Sequence, residues 1–404
     1  MKFYNTSFSK NVFFKIALAF MSGIKEIKII ETLAKIVFNP PRAEWLKPVI
    51  MGNTSPRPKG RGYVKNKLSF YNCFLIIIIV TITTETSYSQ TIKTGTTAAQ
   101  VLKFNVGPRA IGMGGAYTAV SDDITAMYWN PGGTANIQMN EAFFNHTSLY
   151  ADIGYDYAAI ASHLSDFGTI GAFVSVLSMD EMVVRTEEVP EGTGEFFDAG
   201  AIVIGLNYSR YLTDNFAIGF NFKYINEYIW HENATGFGVD IGTMYKLPIL
   251  NELRIAASIS NFGTKMQLAG RDVTKIIESG AGGSNLVNTN LELDKFDLPL
   301  LFRFGISNDI IRGEESRLTM AVDAIHPNDH TEYVNAGMEY SWEEIVFVRA
   351  GYNSLFEKDS EKGLTVGFGL HYRIVNLVKV GLDYAYQDFG RLTEVHYFSL
   401  GIKF

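Results

Sequence analysis

From Ala142 to the C-terminus, apolar residues alternate with small or polar ones in runs of about ten, and turn residues separate the runs. Val378, Val380, Leu382, Tyr384 and Tyr386 share one face of such a run, while Lys379, Gly381, Asp383, Ala385 and Gln387 share the other. Period two is the signature of a β-strand with two unlike faces. It does not say which face meets the core, so a soluble sandwich and a membrane barrel both remain open at this point.

Counting separates them. Runs begin near Ala142, Tyr155, Gly168, Ala199, Phe216, Gly236, Leu253, Leu298, Arg317, Tyr333, Ile345, Gly363, Val378 and Glu394, which makes fourteen, an even number. Connections after even-numbered runs are short, as at 164–167, 212–215 and 342–344, whereas 179–198 and 263–297 are long and follow odd ones. Short turns at one rim and long loops at the other are the habit of an outer-membrane barrel, and ~10 residues suit a tilted strand crossing the hydrocarbon layer. The predicted fold is all-β: a transmembrane antiparallel barrel of about 14 strands, with residues 142–404 as the barrel. Phe398, Leu400, Ile402 and the terminal Phe404 share one face of the last strand. That pattern resembles the C-terminal assembly signal of outer-membrane barrels.

Composition agrees with a membrane barrel. The chain is 47% hydrophobic and 19% charged, with a mean hydropathy of +0.05, yet it has no run approaching the ~18 apolar residues of a membrane helix. Residues 1–89 carry 13 basic and 4 acidic residues, so the formal charge of −7 divides into +9 there and −16 on the remaining 315. An acidic body excludes nucleic acid as a partner. One cysteine, Cys73, excludes a disulfide framework.

Lys65 and Lys67, the apolar run 74–82 and Ser87-Tyr88-Ser89 together make an export signal over 65–89. Residues 1–64 are then expected to be an unused upstream extension. The mature chain would start near Gln90 and act in the outer membrane, in contact with its lipid.

Residues 90–141 break the alternation and are expected to form a plug inside the barrel. Residues 96–104 predict a short helix, followed by a glycine-rich stretch (107–123) and by Trp129-Asn130-Pro131. The glycines lack a preceding strand and a Gly-Lys-Ser/Thr ending, so close backbone packing explains them better than phosphate binding does.

These residues carry a family resemblance. Arg109-Ala110-x-Gly112-Met113-Gly114-Gly115-Ala116, the pair Asp122-Asp123, and Trp129-Asn130-Pro131 followed by Gly132 resemble the PorV/PorQ family of outer-membrane proteins, a branch of the FadL-like barrels. The match covers about 30 residues, and Gly132 or Gly133 stands where the family usually has alanine. The resemblance implies a FadL-like barrel whose plug includes Arg109, Gly112, Gly114, Gly115, Asp122, Asp123, Trp129, Asn130 and Pro131. It also implies a docking role in type IX protein secretion or surface attachment in Bacteroidota, with secretion or surface-attachment proteins as partners. The alternative is a FadL-like channel for hydrophobic small molecules, gated at Asn130-Pro131.

Strand phase points Lys223, Asp240, Arg303, Asp323, Glu339, Arg349, Arg373, Lys379 and Asp383 inward, where they are expected to form a paired network holding the plug. Neither a metal site nor a cofactor is expected. The segment 326–330, with two histidines, lacks a ligand spacing and reads as a solvated turn. His146-Thr147-Ser148 and His163-Leu164-Ser165 each put a histidine near a serine, but neither supplies in sequence the third group that would orient the base, so an enzyme is not expected.

Overall fold

The computed structural model describes residues 93–278, 286–357, 360–374 and 378–404. The expected signal peptide and upstream extension lie outside the described residues.

Fourteen antiparallel strands form the wall. They are β1 (Glu141–Ser148), β2 (Gly154–His163), β3 (Thr169–Ser178), β4 (Ala199–Thr213), β5 (Phe216–Ile229), β6 (Glu232–Leu247) and β7 (Leu253–Gly263), then β8 (Leu301–Arg312), β9 (Ser316–Pro327), β10 (Tyr333–Trp342), β11 (Val346–Leu355), β12 (Leu364–Ile374), β13 (Val378–Asp388) and β14 (Glu394–Lys403). Each pairs with its sequence neighbours, and β14 pairs with β1 from Glu141↔Lys403 to Ser148↔His396, so the sheet closes on itself. Closure satisfies the backbone of every strand and leaves the wall no free edge.

The structure resolves which face is which. Phe144, Ile160, Ile204, Leu206, Phe222, Val348, Phe368 and Leu382 are exposed on the outside, whereas Asn145, Thr147, Asn207, Ser209, Asn221, Ser258 and Thr319 are buried inside. An apolar exterior around a closed, polar interior is the reverse of a sandwich. It makes this a membrane-spanning barrel.

The long connections carry small hairpins beyond the rim. Thr274–Glu278 pairs with Leu286–Asn290, and Met182–Val183 with Phe196–Phe197.

The segment preceding β1 fills the lumen. It enters at the long-loop rim, where Thr97 bridges to Asp297, and leads into β1 at the short-turn rim. Along it lie a 3-10 turn (Gln100–Lys103), helix α1 (Pro108–Gly112), helix α2 (Ala126–Trp129) and a second 3-10 turn (Pro131–Asn136). The helix expected over 96–104 is therefore a single tight turn.

Candidate functional site in the barrel lumen

The glycine-rich stretch works by backbone approach. A Cβ on Gly112 would lie 2.8 Å from the Cα of Gly367 on β12, and one on Gly114 (φ +67°) would lie 2.6 Å from the backbone N of Tyr352 on β11. Wall glycines answer plug glycines: Gly337 and Gly351 face Met113 and Gly114, while Gly219 and Gly242 face Pro131 and Gly132. Side chains on either partner would hold the two backbones apart.

Asn130 is fully buried, with both amide N–H groups and its carbonyl oxygen hydrogen-bonded. Its Nδ2 donates to the carbonyls of Thr118 (2.9 Å) and Thr243 on β6 (3.1 Å), and its Oδ1 accepts from Gly132 N–H (3.1 Å). It thereby caps the second 3-10 turn, ties two plug segments together and pins both to the wall. Trp129 donates its indole N–H to the Val106 carbonyl (2.8 Å). Pro131 opens the turn, where its missing N–H costs nothing.

Arg109 holds the lower plug. Its Nε and Nη2 meet Glu339 Oε2 and Oε1 on β10 at 2.8 and 3.0 Å, and its Nη1 reaches Asp122 (2.5 Å) and Asp123 (3.0 Å). Arg349 continues the network to Glu339 (2.8 Å) and Asp383 (2.6 Å), and His371 Nε2 joins Asp383 at 3.1 Å. Burial would raise the Asp123 carboxyl, but Arg109, Lys403 and hydrogen bonds from Thr125 and Tyr117 hold it below its ordinary value. The same burial pushes the Tyr117 hydroxyl well up, so that it stays a neutral donor to Asp123. Asp323 accepts the backbone N–H groups of Tyr117 (2.9 Å) and Thr118 (2.8 Å).

Of the charges assigned to the lumen, Lys223, Asp240, Arg303, Asp323, Glu339 and Arg349 are buried there. Asp383 and Lys379 are half-buried, and Arg373 departs from expectation: its strand phase is inward, but it sits at the short-turn end of β12 and is exposed.

The half of the lumen toward the long loops is different in kind. Val101, Leu102, Met127, Tyr155, Phe173 and Val203, together with Lys223, Asp240 and Arg303, line an internal cavity of about 20 Å³, room for a water molecule. Lys223 is paired with Asp240 at 2.7 Å. Arg303 has no carboxylate within ion-pair distance among the described residues; it donates to Ser260 Oγ (3.2 Å) and lies 5.3 Å from the ring centroids of both Tyr128 and Trp129.

Three features were not found from sequence. Asp329, in the segment read as a solvated turn, is buried and latches the plug entrance, accepting from Thr97 Oγ1 (2.6 Å) and from Lys103. Ala99 N–H donates to Glu227 on β5 (3.0 Å) at the same rim. His146 does have a third group: Asp156, its register partner on β2, lies 2.7 Å from Nδ1. Among the described residues His163 meets Thr169 Oγ1 (3.4 Å) and no carboxylate.

The residues expected to carry an assembly signal lie on the outer face of β14 and its end, with Phe398, Leu400 and Phe404 exposed and Ile402 half-buried. Phe404 exchanges two backbone hydrogen bonds with Asn140 (2.8 and 3.0 Å), which extends the β1–β14 seam by one pair.

The model of an uncharacterised protein family (UPF0164) matches residues 78–225. No curated protein matches the sequence. Among solved structures the chain is similar to the CymD monoaromatic hydrocarbon channel (12% identity, 74% of this chain and 96% of that chain, TM-score 0.49). It is also similar to the Pseudomonas putida toluene transporter TodX (12%, 74% and 97%, 0.48) and to a Pseudomonas aeruginosa FadL homologue (11%, 74% and 98%, 0.43). At TM-scores below 0.5 these likenesses carry no functional argument.

Proposed function

We propose that this chain is an outer-membrane barrel of FadL-like type that admits hydrophobic small molecules, with the N-terminal plug as its gate. One observation carries the reading: the lumen is divided. Below, the plug is fixed by ion pairs and glycine contacts; above, apolar and aromatic side chains share a small cavity with the Lys223–Asp240 pair and with Arg303, which has no carboxylate within ion-pair distance among the described residues. That upper half suits a molecule with an apolar body, and the cavity enlarges only if the Thr97–Lys103 segment lifts from Asp329, Asp297 and Glu227.

The test is a reversible lock. Thr97→Cys with Asp297→Cys joins two bridge partners, and no cysteine follows Cys73. Uptake of radiolabelled naphthalene or decanoate into vesicles holding the barrel should fall to background when the pair is oxidised and return with reductant. Uptake indifferent to the lock, or no faster than in protein-free vesicles, would reject the gate.

A docking role is the second reading, favoured by the 274–290 hairpin, where Ile276, Ile277, Leu286 and Val287 are all exposed beyond the rim. Loss of a co-purifying partner on shortening 263–297, with uptake intact, would support it. No residue contact carries the link to type IX secretion.

A further inference from the structure

The outer surface of the wall brings together three side chains that neither passage nor docking uses. His146 and Ser148 project outward from β1, and Asp156 projects beside them from β2. His146 Nδ1 lies 2.7 Å from Asp156 Oδ1, and His146 Nε2 lies 3.4 Å from Ser148 Oγ. With the Nδ1 proton directed at the carboxylate, Nε2 is left as the acceptor for the serine hydroxyl. The serine–base distance is long for a hydrogen bond, as nucleophile–base contacts often are before substrate closes them.

The surroundings favour an ester with an apolar tail. The site stands at the long-loop end of the apolar belt, with exposed Phe144 below it on β1 and exposed Phe398 directly opposite His146 on β14. Gly154, opposite Ser148 on β2, leaves the serine uncovered on that side, and His396 stands opposite on β14. His396 Nδ1 is engaged by Tyr384 OH at 2.8 Å; when it accepts that hydroxyl, its Nε2 carries a proton and becomes a donor. The turn that follows Ser148 holds Ala151 (φ +57°) and Asp152 (φ +56°) in the left-handed region, a costly conformation for residues with a Cβ.

We propose that Ser148, His146 and Asp156 form a surface esterase site for acyl esters of amphiphiles lying in the membrane interface. Ser148 Oγ attacks the ester carbonyl carbon as its proton passes to His146 Nε2. The tetrahedral oxyanion collapses, the C–O bond to the alcohol breaks, and His146 returns the proton to the departing alkoxide. Water then attacks the acyl-serine with His146 again as base, which releases the carboxylic acid and restores Ser148. His146 and Ser148 are the catalytic residues. Asp156 is a positioning residue that acts through the imidazole.

The site lies outside the wall, so its test is independent of uptake through the lumen. Full-length barrel in detergent micelles is treated with a fluorophosphonate probe, the labelled peptide is mapped by mass spectrometry, and hydrolysis of p-nitrophenyl octanoate is followed. Labelling should fall on Ser148 and vanish in Ser148→Ala, while His146→Ala should slow both reactions by roughly 100-fold or more. Asp156→Asn should lower the rate and change its pH profile, and Asp156→Glu should restore part of both. Heat-modifiable migration confirms that each variant is folded. A folded wild-type barrel that is neither labelled nor hydrolytic overturns the proposal, as does hydrolysis that survives Ser148→Ala. An Asp156→Asn profile identical to wild type overturns the role of Asp156.

Discussion

Arg109 and Glu339 meet edge to edge, two nitrogens on two oxygens, in the interior of a barrel wall that faces lipid on its other side. One belongs to the plug and the other to β10, and Glu339 is wholly buried with Arg349 and Arg317 also bound to it. Removing the carboxylate would leave three guanidinium groups short of a partner. Glu339→Gln should therefore destabilise the plugged barrel by about 3–5 kcal/mol, the usual cost of breaking a buried pair from one side. Denaturant titration of the refolded barrel measures this, and a loss under 1 kcal/mol would show that the pair is solvated.

Gly114 tests the backbone approach. Alanine there combines a left-handed φ of +67° with a collision against the backbone N of Tyr352. A cost of about 1–3 kcal/mol is expected, whereas Gly194, also at positive φ but with open space around it, should bear alanine with only the conformational part of that penalty. Equal losses in the two variants would mean that wall contact contributes nothing.

Asn130→Ala removes the cap on the 3-10 turn, one bond within the plug and one bond to the wall, leaving the buried carbonyl of Thr118 without its donor. The expected loss is about 1–3 kcal/mol. If the plug is a gate, leak of a small dye through the purified barrel should rise as well, and a destabilised variant with no added leak would separate plug stability from gating.

Acid should act late on the plug. Asp123 has a folded value below its ordinary 3.8, so its stabilising charge is fully present above that value and is lost only as pH falls through the lower, folded one. Thermal stability of the wild type should thus be insensitive to this group from pH 7 down to about 4 and decline below, and Asp123→Asn should flatten that acid limb. A wild-type decline centred near pH 6 would assign the acid sensitivity to another group.

Phe404→Asp should lower the level of folded, heat-modifiable barrel in the outer membrane while leaving refolding from denaturant in detergent largely intact. The terminal ring is exposed, and its backbone bonds to Asn140 do not depend on the side chain. Equal losses in both settings would make Phe404 a stability residue and not an assembly signal.

The strands and the plug were legible because period two and the loss of period two are local properties. Leu382 and Asp383 show the limit: the alternation separates them, but only closure of the sheet decides that Leu382 faces lipid. The acid and base residues of the plug were recognisable by type, and Arg109 with Asp122 and Asp123 did converge. Their wall partners were not legible as partners, since Glu339 lies 230 residues from Arg109 and nothing local to either specifies the other. Gly367 likewise reads as an ordinary strand glycine until Gly112 arrives against it. Asp156 was missed for a simpler reason, because cross-strand register rather than sequence spacing brings it to His146.

The path of the plug also constrains how the molecule can be made. Helix α1 packs on β11–β14, the final strands to be synthesised, while the plug itself precedes every strand. At the seam, Glu141 of β1 accepts Ile124 N–H from the plug and pairs with Lys403 of β14 at 2.7 Å. A segment held at both rims is awkward to thread into a finished cylinder. The plug is better regarded as the form around which the wall is wound, with β14 meeting β1 only after the enclosed chain has found its place.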